Sequence, residues 1–342
     1  MRRVSQSFRQ PDENEIVEFL RKRHAVEHPM LKKGIGDDAA VLRLGEAKEF
    51  QVITTDALIE EIDFRRDWTT PRELGWKSLA VNLSDLAAMG ARPQFFTVTL
   101  ALPPDITEQW IREFYNGLTE CGALHGAALI GGDLSGAQNA VMISITAIGE
   151  SLRRRVVYRS GGREGDLLYV TGTLGRSAAG LELLRQGTIH SRSRPRREAL
   201  RAHRMPEPRC RAGAWLAQSG YVHSMMDISD GLSTDLARMC AASGVDAEIL
   251  TAPVFAAAAS WHCDPLALAL HGGEDYELLF SAPFSKKGML EKNYPSEFPP
   301  ITHIGNMLEG TGVVWLAEPG KKRRELPALG FDHFRSASAS SD

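Results

Sequence analysis

The sequence predicts a two-domain α/β protein. Its 342 residues are long for a single hydrophobic core. Strand-like and helix-like segments alternate up to about residue 150, and the same alternation resumes at Asp166. We therefore expect a first domain over 29–150 and a second over 151–335. A helical segment over 1–28 precedes them, and a Ser/Ala-rich tail over 336–342 is expected to be disordered.

The helices of the first half are predicted from apolar periodicity and from helix-start signals. Apolar residues on one side of a charged segment predict an amphipathic helix over 12–25. Thr70, Pro71 and Glu73 supply an N-cap, a first-turn proline and a capping box for a helix that ends near Gly90. The remaining helix of this half is predicted at 107–125.

The strands of the first half are predicted at 51–56, 94–102, 127–130 and 141–148, of which 94–102 has two chemically different faces. The strand at 127–130 leaves Gly131, Gly132 and Asp133 at a strand end. Open α/β sheets usually bind ligands at such ends.

The second half repeats the alternation. We predict strands at 167–171 and 223–226, and helices at 177–186, 209–219 and 232–243. Between them, the stretch 185–211 is rich in arginine and is interpreted as a solvated loop. Contact of one or two of these arginines with a phosphate is the alternative.

Composition favours small-molecule chemistry. Lys plus Arg is 40 against 43 for Asp plus Glu, so the net charge of -3 provides no basic field for nucleic acid or an anionic membrane. The first residues, MRRVSQSF, lack the apolar stretch of a signal peptide, and no apolar run has the length of a membrane span. The four cysteines show no metal-binding spacing, which is typical of reduced thiols. We expect a cytoplasmic enzyme.

Aspartates in glycine- or hydroxyl-flanked segments are the main functional signal. They occur in GIGDD (Asp37, Asp38), TTD (Asp56), NLSD (Asp85), GGD (Asp133) and DISDG (Asp227, Asp230). Aspartate is also common at N-caps and in turns, and we favour that interpretation for Asp37 alone. Asp85, in contrast, falls inside an apolar helix, where a carboxylate without a partner is costly. The set predicts several carboxylates converging on a hard cation.

An acidic cluster around a polyphosphate requires divalent cations between the two, so the pattern predicts Mg²⁺ together with a nucleotide. The sequence has no GxxxxGK[ST] motif and no HRD or DFG motif. A GxGxxA string at Gly34 does not follow an apolar strand, which disfavours a dinucleotide-binding fold. Phosphoryl transfer by positioning and charge neutralisation fits the absence of an obvious nucleophile.

A series of segments resembles the thiamine-monophosphate kinase family, within the aminoimidazole ribonucleotide synthetase-like superfamily. The segments are GIGDDAAVL, TTDALIEE, KSLAVNLSDLAAMGARP, LIGGDLS, YVTGTLGRSAAGL, MDISDGLSTDL, GGEDYELLF and GFDHF. The resemblance implies a two-domain α/β fold whose N-terminal sheet forms a homodimer interface, with ATP in a cleft between the domains. It also implies transfer of the γ-phosphoryl group of ATP to thiamine monophosphate, giving thiamine diphosphate.

The resemblance also implies roles for individual residues. It assigns Asp133 and Asp230 to catalysis and Glu274 and Phe331 to the thiamine moiety. It assigns ATP contacts to Gly132, Asp133, Arg159 and Ser229. It assigns several Mg²⁺ ions to Asp38, Thr54, Thr55, Asp56, Asp85, Asp133, Asp227 and Asp230.

One position departs from the family pattern. Where the family usually has a histidine near the substrate phosphate, this chain has Asp63. A carboxylate does not neutralise a phosphate at neutral pH. Either Asp63 contacts the substrate through a metal or water, or Arg65 or Arg66 supplies the positive charge. The departure also leaves open a non-catalytic, ATP-binding regulatory homologue.

Overall fold

The structure, a computed structural model, describes residues 13–24, 27–44, 48–153, 155–318 and 320–332. These residues form two β-sheets with helices packed between and around them. Within the described residues, no helix is both long enough and apolar enough to cross a lipid bilayer.

The first sheet has six strands in the order β1-β2-β3-β6-β4-β5. All neighbours are antiparallel except β4 and β5, which are parallel. The elements of this half are α1 (Glu13–His24), β1 (Leu31–Lys33), β2 (Ala40–Leu42), β3 (Gln51–Ile59), α2 (Pro71–Ala88), β4 (Arg92–Leu102), α3 (Glu108–His125), β5 (Ala128–Gly136) and β6 (Met142–Glu150).

Helix α2 is the centre of the molecule. It begins as the sequence predicts, because the Thr70 hydroxyl accepts the Glu73 N–H while the Glu73 carboxylate accepts the Thr70 N–H. Most of its residues are buried on all sides, so it carries no polar face toward solvent. It packs on α3 and the first sheet, and on the other side it contacts the second half of the chain.

The second sheet has seven strands in the order β13-β12-β9-β11-β7-β10-β8. Its strands are β7 (Asp166–Thr171), β8 (Ser224–Asp227), β9 (Asp246–Ile249), β10 (Leu278–Pro283), β11 (Ile301–Leu308), β12 (Val314–Leu316) and β13 (Arg324–Glu325). Its helices are α4 (Arg176–Arg185), α5 (Arg194–Arg204), α6 (Cys210–Ser219), α7 (Leu232–Ser243), α8 (Pro265–His271) and α9 (Lys287–Asn293), with 3-10 turns at Ala256–Trp261 and Phe284–Lys286.

Side chains of α2 join the two halves. The Trp76 indole donates to the Pro206 carbonyl at 2.7 Å, and the Ser84 hydroxyl donates to Asp227 at 2.6 Å. Buried apolar residues of both halves form one continuous cluster around this helix. The ends of the second sheet are therefore held at a fixed position along α2.

Two local predictions are wrong. Gly131, Gly132 and Asp133 lie inside β5 rather than at a strand end, because the strand continues to Gly136 in parallel pairing with β4. The arginine-rich stretch is not a simple solvated loop, because residues 194–204 form α5. This helix buries Ala199, Leu200 and His203 against the rest of the domain. The predicted disordered tail lies outside the described residues.

One face of the first sheet is open. Helices cover the other face, whereas β5 is almost wholly exposed. Large apolar side chains stand on the exposed strands: Phe95 is 43% exposed, Ile130 57%, Leu134 64% and Met142 43%. An apolar surface of this kind on a sheet is typical of an interface with another protein.

Candidate active site

A cleft of about 1490 Å³ runs along α2 between the two sheets. Leu74, Lys77, Val81 and Asp85 line it at the three- and four-residue spacing of one helix face. Both sheets and the segment 329–332 contribute the opposite walls. A cleft of this size, lined by charged groups from several elements, is the best candidate for a ligand site among the described residues.

Three buried or half-buried carboxylates meet at one end of the cleft. Asp38 precedes β2, Asp85 belongs to α2 and Asp227 ends β8, yet one oxygen of each lies within 4.8 Å of the others. The predicted convergence of distant aspartates is therefore present for these three. We call them the acid cluster.

The acid cluster is electrostatically unfavourable without added positive charge. Burial, with Asp38 as the next cause, raises the pKa of Asp227 to about 7. Burial and the charges of Asp56, Asp227 and Asp38 raise the pKa of Asp85 well above its ordinary value. Burial also raises the pKa of Asp38, although Arg159 opposes that shift. These carboxylates are therefore poised to gain free energy from a cation.

Few protein groups compensate the acid cluster. Arg159 donates two hydrogen bonds to Asp38 Oδ1, at 2.9 and 2.6 Å. The Thr54 hydroxyl donates to Asp85 Oδ2 at 2.5 Å. Asp38 Oδ2 is buried and has no hydrogen-bond partner among the described residues. An oxygen in this state fits a hard cation, because the rest of the fold leaves it unsatisfied.

Strand β3 brings further oxygen atoms to the end of the cleft that contains the acid cluster. The Thr54 side chain faces the acid cluster, and the Asp56 N–H donates to Asn82 on α2 at 3.0 Å. The Thr55 side chain points to the open face of the sheet, where it donates to the Ile145 carbonyl at 3.0 Å. All three of these β3 residues line the cleft.

The loop between β8 and α7 presents Ser229 and Asp230 to the cleft. Buried Asp235 shapes this loop by accepting the N–H groups of Asp230 and Gly231, at 3.0 and 3.1 Å. Gly231 has a φ of +110°, and a Cβ there would lie about 3 Å from the backbone of His271 and Gly272 at the end of α8. Arg238 pairs with both Asp230 and Asp235.

The other end of the cleft contains a carboxylate with cationic partners. Glu274 Oε1 lies 2.5 Å from Lys77 Nζ, and Glu274 Oε2 lies 3.0 Å from His203 Nδ1. Burial acts against ionisation, but Lys77 and His203 outweigh it and lower the pKa of Glu274 to about 2. Glu274 is therefore a fixed anion facing the cleft.

Phe331 and Asp63 line the same cleft. The Phe331 N–H donates to the Asp230 carbonyl at 3.1 Å, which places the Phe331 backbone beside the β8–α7 loop. Asp63 Oδ2 accepts the Ile59 N–H at 2.8 Å, so this carboxylate closes the turn after β3. The structure thus gives Asp63 a local role in the backbone.

Gly132 and Asp133 lie elsewhere in the described chain. Asp133 pairs with Thr99 on β4, and its side chain stands on the open face of the first sheet. Strands β4 and β6 separate β5 from β3, so about 14 Å of sheet lies between Asp133 and the edge of the cleft. Gly132 has no room for a side chain, because a Cβ would lie 1.9 Å from the Val98 carbonyl oxygen.

Sequence reasoning missed Lys77, His203, Asp235, Arg238 and the function of Asp275. Lys77 gave a signal, since it is a charged residue inside an apolar helical stretch, as Asp85 is. Asp275 caps α4 from a distant loop, accepting the N–H groups of Gly175 and Ser177 at 2.6 and 3.2 Å. No local pattern announces such a contact.

Comparison with known proteins identifies the family. Residues 36–151 match the N-terminal domain of the AIR synthase related proteins, and residues 163–315 match the C-terminal domain. Thiamine-monophosphate kinase of Bacillus subtilis is 32% identical over 327 residues, 95% of this chain and 100% of that protein. The Escherichia coli K12 enzyme is 38% identical over 308 residues, 88% of this chain and 91% of that protein. The chain belongs to the thiamine-monophosphate kinase family.

Solved structures agree with membership of the thiamine-monophosphate kinase family. AaThiL complexed with AMPPCP and TMP is 31% identical and superposes with a TM-score of 0.81 over 96% of this chain and 100% of that chain. The Aquifex aeolicus thiamine monophosphate kinase gives a TM-score of 0.74 at 30% identity, covering 89% and 98%. Hydrogenase maturation protein HypE in complex with ATP is 19% identical with a TM-score of 0.68, over 91% of this chain and 94% of HypE, which shows a shared fold.

Proposed function

We propose that this enzyme transfers the γ-phosphoryl group of ATP to the phosphate of thiamine monophosphate, producing thiamine diphosphate and ADP. The observation that carries the proposal is the similarity, over nearly the whole chain, to a relative complexed with AMPPCP and TMP. The cleft offers matching chemistry, with the acid cluster at one end and Glu274 at the other. Because the reaction consumes ATP, we place the enzyme in the cytoplasm.

The donor set at the acid cluster fits Mg²⁺. Every candidate ligand is an oxygen, and Asp38 Oδ2 is buried without a partner. We propose that Asp38, Asp85 and Asp227 hold the ions, together with Thr54, Asp56 and Asp230 on the adjoining segments. Thr55, whose side chain lies on the open face of the sheet, would contribute only its backbone carbonyl. When bound, Mg²⁺ neutralises phosphate oxygens and these carboxylates together.

The chain's own residues position the reactants. Arg159 is a fork donor suited to a phosphate oxygen, and Asp38 orients it through two hydrogen bonds. Ser229 lies in the turn before α7, and the N-terminus of a helix favours a negatively charged ligand. We propose that these groups align the triphosphate for in-line attack by the acceptor phosphate. A new P–O bond forms as the bond from the γ-phosphorus to the bridging oxygen breaks and ADP leaves.

The acceptor is expected at the Glu274 end. The Phe331 ring offers a face to the cationic thiazolium, and Glu274 offers a fixed negative charge. Asp63 is committed to its turn, so Arg65, which also lines the cleft, is the better candidate for the acceptor phosphate.

A product assay tests the proposed reaction. Purified protein with ATP, MgCl₂ and thiamine monophosphate should yield thiamine diphosphate and ADP in equal amounts by chromatography. Nucleotide binding without any thiamine diphosphate would instead support the regulatory homologue.

We further propose a homodimer in which Gly132 and Asp133 serve the site of the second copy. The open sheet face exposes Phe95 and Met142, which a second copy would bury. Asp133 stands on that same face, away from the cleft of its own chain. A symmetric dimer is the simplest way to bring this carboxylate to an acid cluster.

Subunit mixing tests the trans arrangement. Asp133→Asn and Asp85→Asn are each expected to be inactive as homodimers. Dissociating and reassociating an equal mixture should restore about a quarter of wild-type turnover, since half of the dimers then carry one intact site. No recovery, in a mixture that native mass spectrometry shows to contain mixed dimers, would contradict the arrangement.

A further inference from the structure

Two cation-forming side chains to which the sequence patterns assigned no role surround Glu274. Lys77 comes from α2, His203 from α5 and Glu274 from the loop before β10, so three distant elements meet. The Lys77 side chain is 4% exposed and that of Glu274 is 27% exposed. Both side chains line the cleft, and Glu274 is the more exposed member of this ion pair.

The Glu274 group (Glu274 with Lys77 and His203) and the acid cluster lie at different positions along α2. Lys77 and Asp85 line the cleft from the same helix and are eight residues apart. At 1.5 Å per residue, their backbones are separated by about 12 Å along the helix axis. One end of α2 thus carries the acid cluster and the other the Glu274 group, a spacing that suits a polyphosphate chain between them.

We propose that Lys77 and His203 are positioning residues that fix the Glu274 carboxylate as the recognition group for the cationic organic part of the acceptor. This inference rests on the proposed function, since it concerns the acceptor end of the same cleft. Lys77 and His203 act through Glu274 and need not touch the acceptor.

A purely stabilising role explains the arrangement poorly. A buried ion pair is often no more stable than apolar side chains of similar volume, because both charges lose their hydration. Glu274 also adopts a left-handed backbone conformation, with φ at +64°, and its N–H donates to the Ser229 carbonyl at 2.7 Å. The backbone of Glu274 is thus fixed by the β8–α7 loop, and its side chain is fixed by Lys77 and His203. The carboxylate therefore has a defined orientation in the cleft.

The charges around His203 define its protonation. Lys77 and Glu274 face it from α2 and the loop, Arg204 adjoins it on α5, and the Ser177 hydroxyl lies 3.2 Å from Nδ1. Burial and then Lys77 lower the pKa of His203, while Glu274 opposes them. In the wild type, Lys77 therefore holds Glu274 at any pH near neutrality. Without Lys77, only a protonated His203 could do so.

The test compares Lys77→Met with Lys77→Arg and with the control Arg72→Met. Arg72 lies on the same helix as Lys77, and its exposed ion pair is with Glu120 of α3. We expect Lys77→Met to raise KM for thiamine monophosphate about tenfold, since one partner of a desolvated charge pair is lost. KM for ATP should stay within about twofold of wild type. Lys77→Arg should recover most of the loss, and Arg72→Met should show none.

The pH profile supplies a second readout. In Lys77→Met, the KM for thiamine monophosphate relative to that of wild type should rise as pH increases from 6 to 8, because His203 loses its proton and Glu274 loses its remaining charged partner. Taking this ratio at each pH removes the titration of the acceptor phosphate, which affects both enzymes. Adding His203→Gln should raise the ratio throughout and abolish its pH dependence.

The outcomes separate this inference from the proposed function. Unchanged KM in Lys77→Met, or equal increases in both KM values, would overturn the positioning role. If the wild type forms no product, the proposed function fails, and calorimetric titration with thiamine monophosphate still compares binding by wild type and variants. If Lys77→Met does not fold, Lys77→Arg and His203→Gln carry the same comparison at smaller expected effect.

Discussion

Buried carboxylates lie at both ends of the cleft, but their pKa values are shifted in opposite directions. At the acid cluster, Asp227 has a pKa raised to about 7 because it is buried among other acids. At the other end, Glu274 has a pKa lowered to about 2 because Lys77 and His203 outweigh burial. The difference shows that convergent charge, rather than burial alone, decides the protonation of a carboxylate in this fold.

The two ends of the cleft differ in the positive charge that the protein itself provides. The Glu274 end carries its own counterions and is complete as folded. Among the described residues, the acid cluster is compensated by Arg159 and hydroxyl donors, so we expect its missing positive charge to come with the ligand. Folding brings these carboxylates together at a cost in electrostatic repulsion. A bound cation removes that repulsion, so the repulsion raises the affinity for the cation.

The largest expected effect is at Asp85. Asp85→Asn should lower turnover at least about 100-fold, since an electrostatic group at the phosphoryl end is lost. The same change should raise the melting temperature in EDTA, because it removes a buried charge beside Asp38 and Asp227. Steady-state kinetics and calorimetry measure the two results. Glu120→Gln, at an exposed carboxylate bound to Arg72 outside the cleft, is the matched control and should change neither.

The next effect concerns the loop that carries Asp230. Asp235→Ala leaves two N–H groups without their acceptor, which should cost about 1–3 kcal/mol of unfolding free energy. Turnover should fall about tenfold, because the loop no longer holds the Asp230 side chain in its orientation toward the cleft. Denaturant titration and kinetics measure both. Asp235→Asn keeps an acceptor oxygen and should recover much of the stability; equal loss in both variants would contradict this account.

A smaller effect distinguishes the two ends by pH. The pKa of Asp227 rises from an ordinary value near 4 to about 7 on folding, so the folded chain binds more protons than the unfolded chain between these pH values. Relative to Asp227→Asn, wild type in EDTA should therefore lose stability as pH rises from 4 to 7, by roughly 5 °C in Tm. With excess MgCl₂ this relative decline should be reduced. A gain in Tm relative to Asp227→Asn over this window in EDTA would contradict the raised pKa.

The smallest effect is at Asp63. Because Asp63 Oδ2 accepts the Ile59 N–H, Asp63→His should mainly weaken the turn, costing about 1 kcal/mol. KM for thiamine monophosphate should change less than about threefold. A larger fall in KM would show that this position reaches the acceptor phosphate and would extend the acceptor end beyond the Glu274 group.

Local sequence signals predicted much of the fold correctly. The capping box at Thr70 and Glu73, the helix at 107–125 and the strand at 94–102 depend on neighbouring residues, and the structure confirms them to within one or two residues at their ends. Helix α5 was missed because its apolar face is narrow and its sequence is dominated by arginine. The length of β5 was underestimated because glycines near its centre are tolerated by parallel pairing with β4.

The sequence alone determined that carboxylates such as Asp85 needed a partner, because a charge inside an apolar helix is costly wherever that helix packs. Only the tertiary structure decided which carboxylates share a site. Strand register and strand order place Asp133 on the open face and Asp56 at the cleft, although both follow similar local patterns. The pairing of Glu274 with Lys77 and His203 likewise depends on three elements that meet only when both sheets pack around α2.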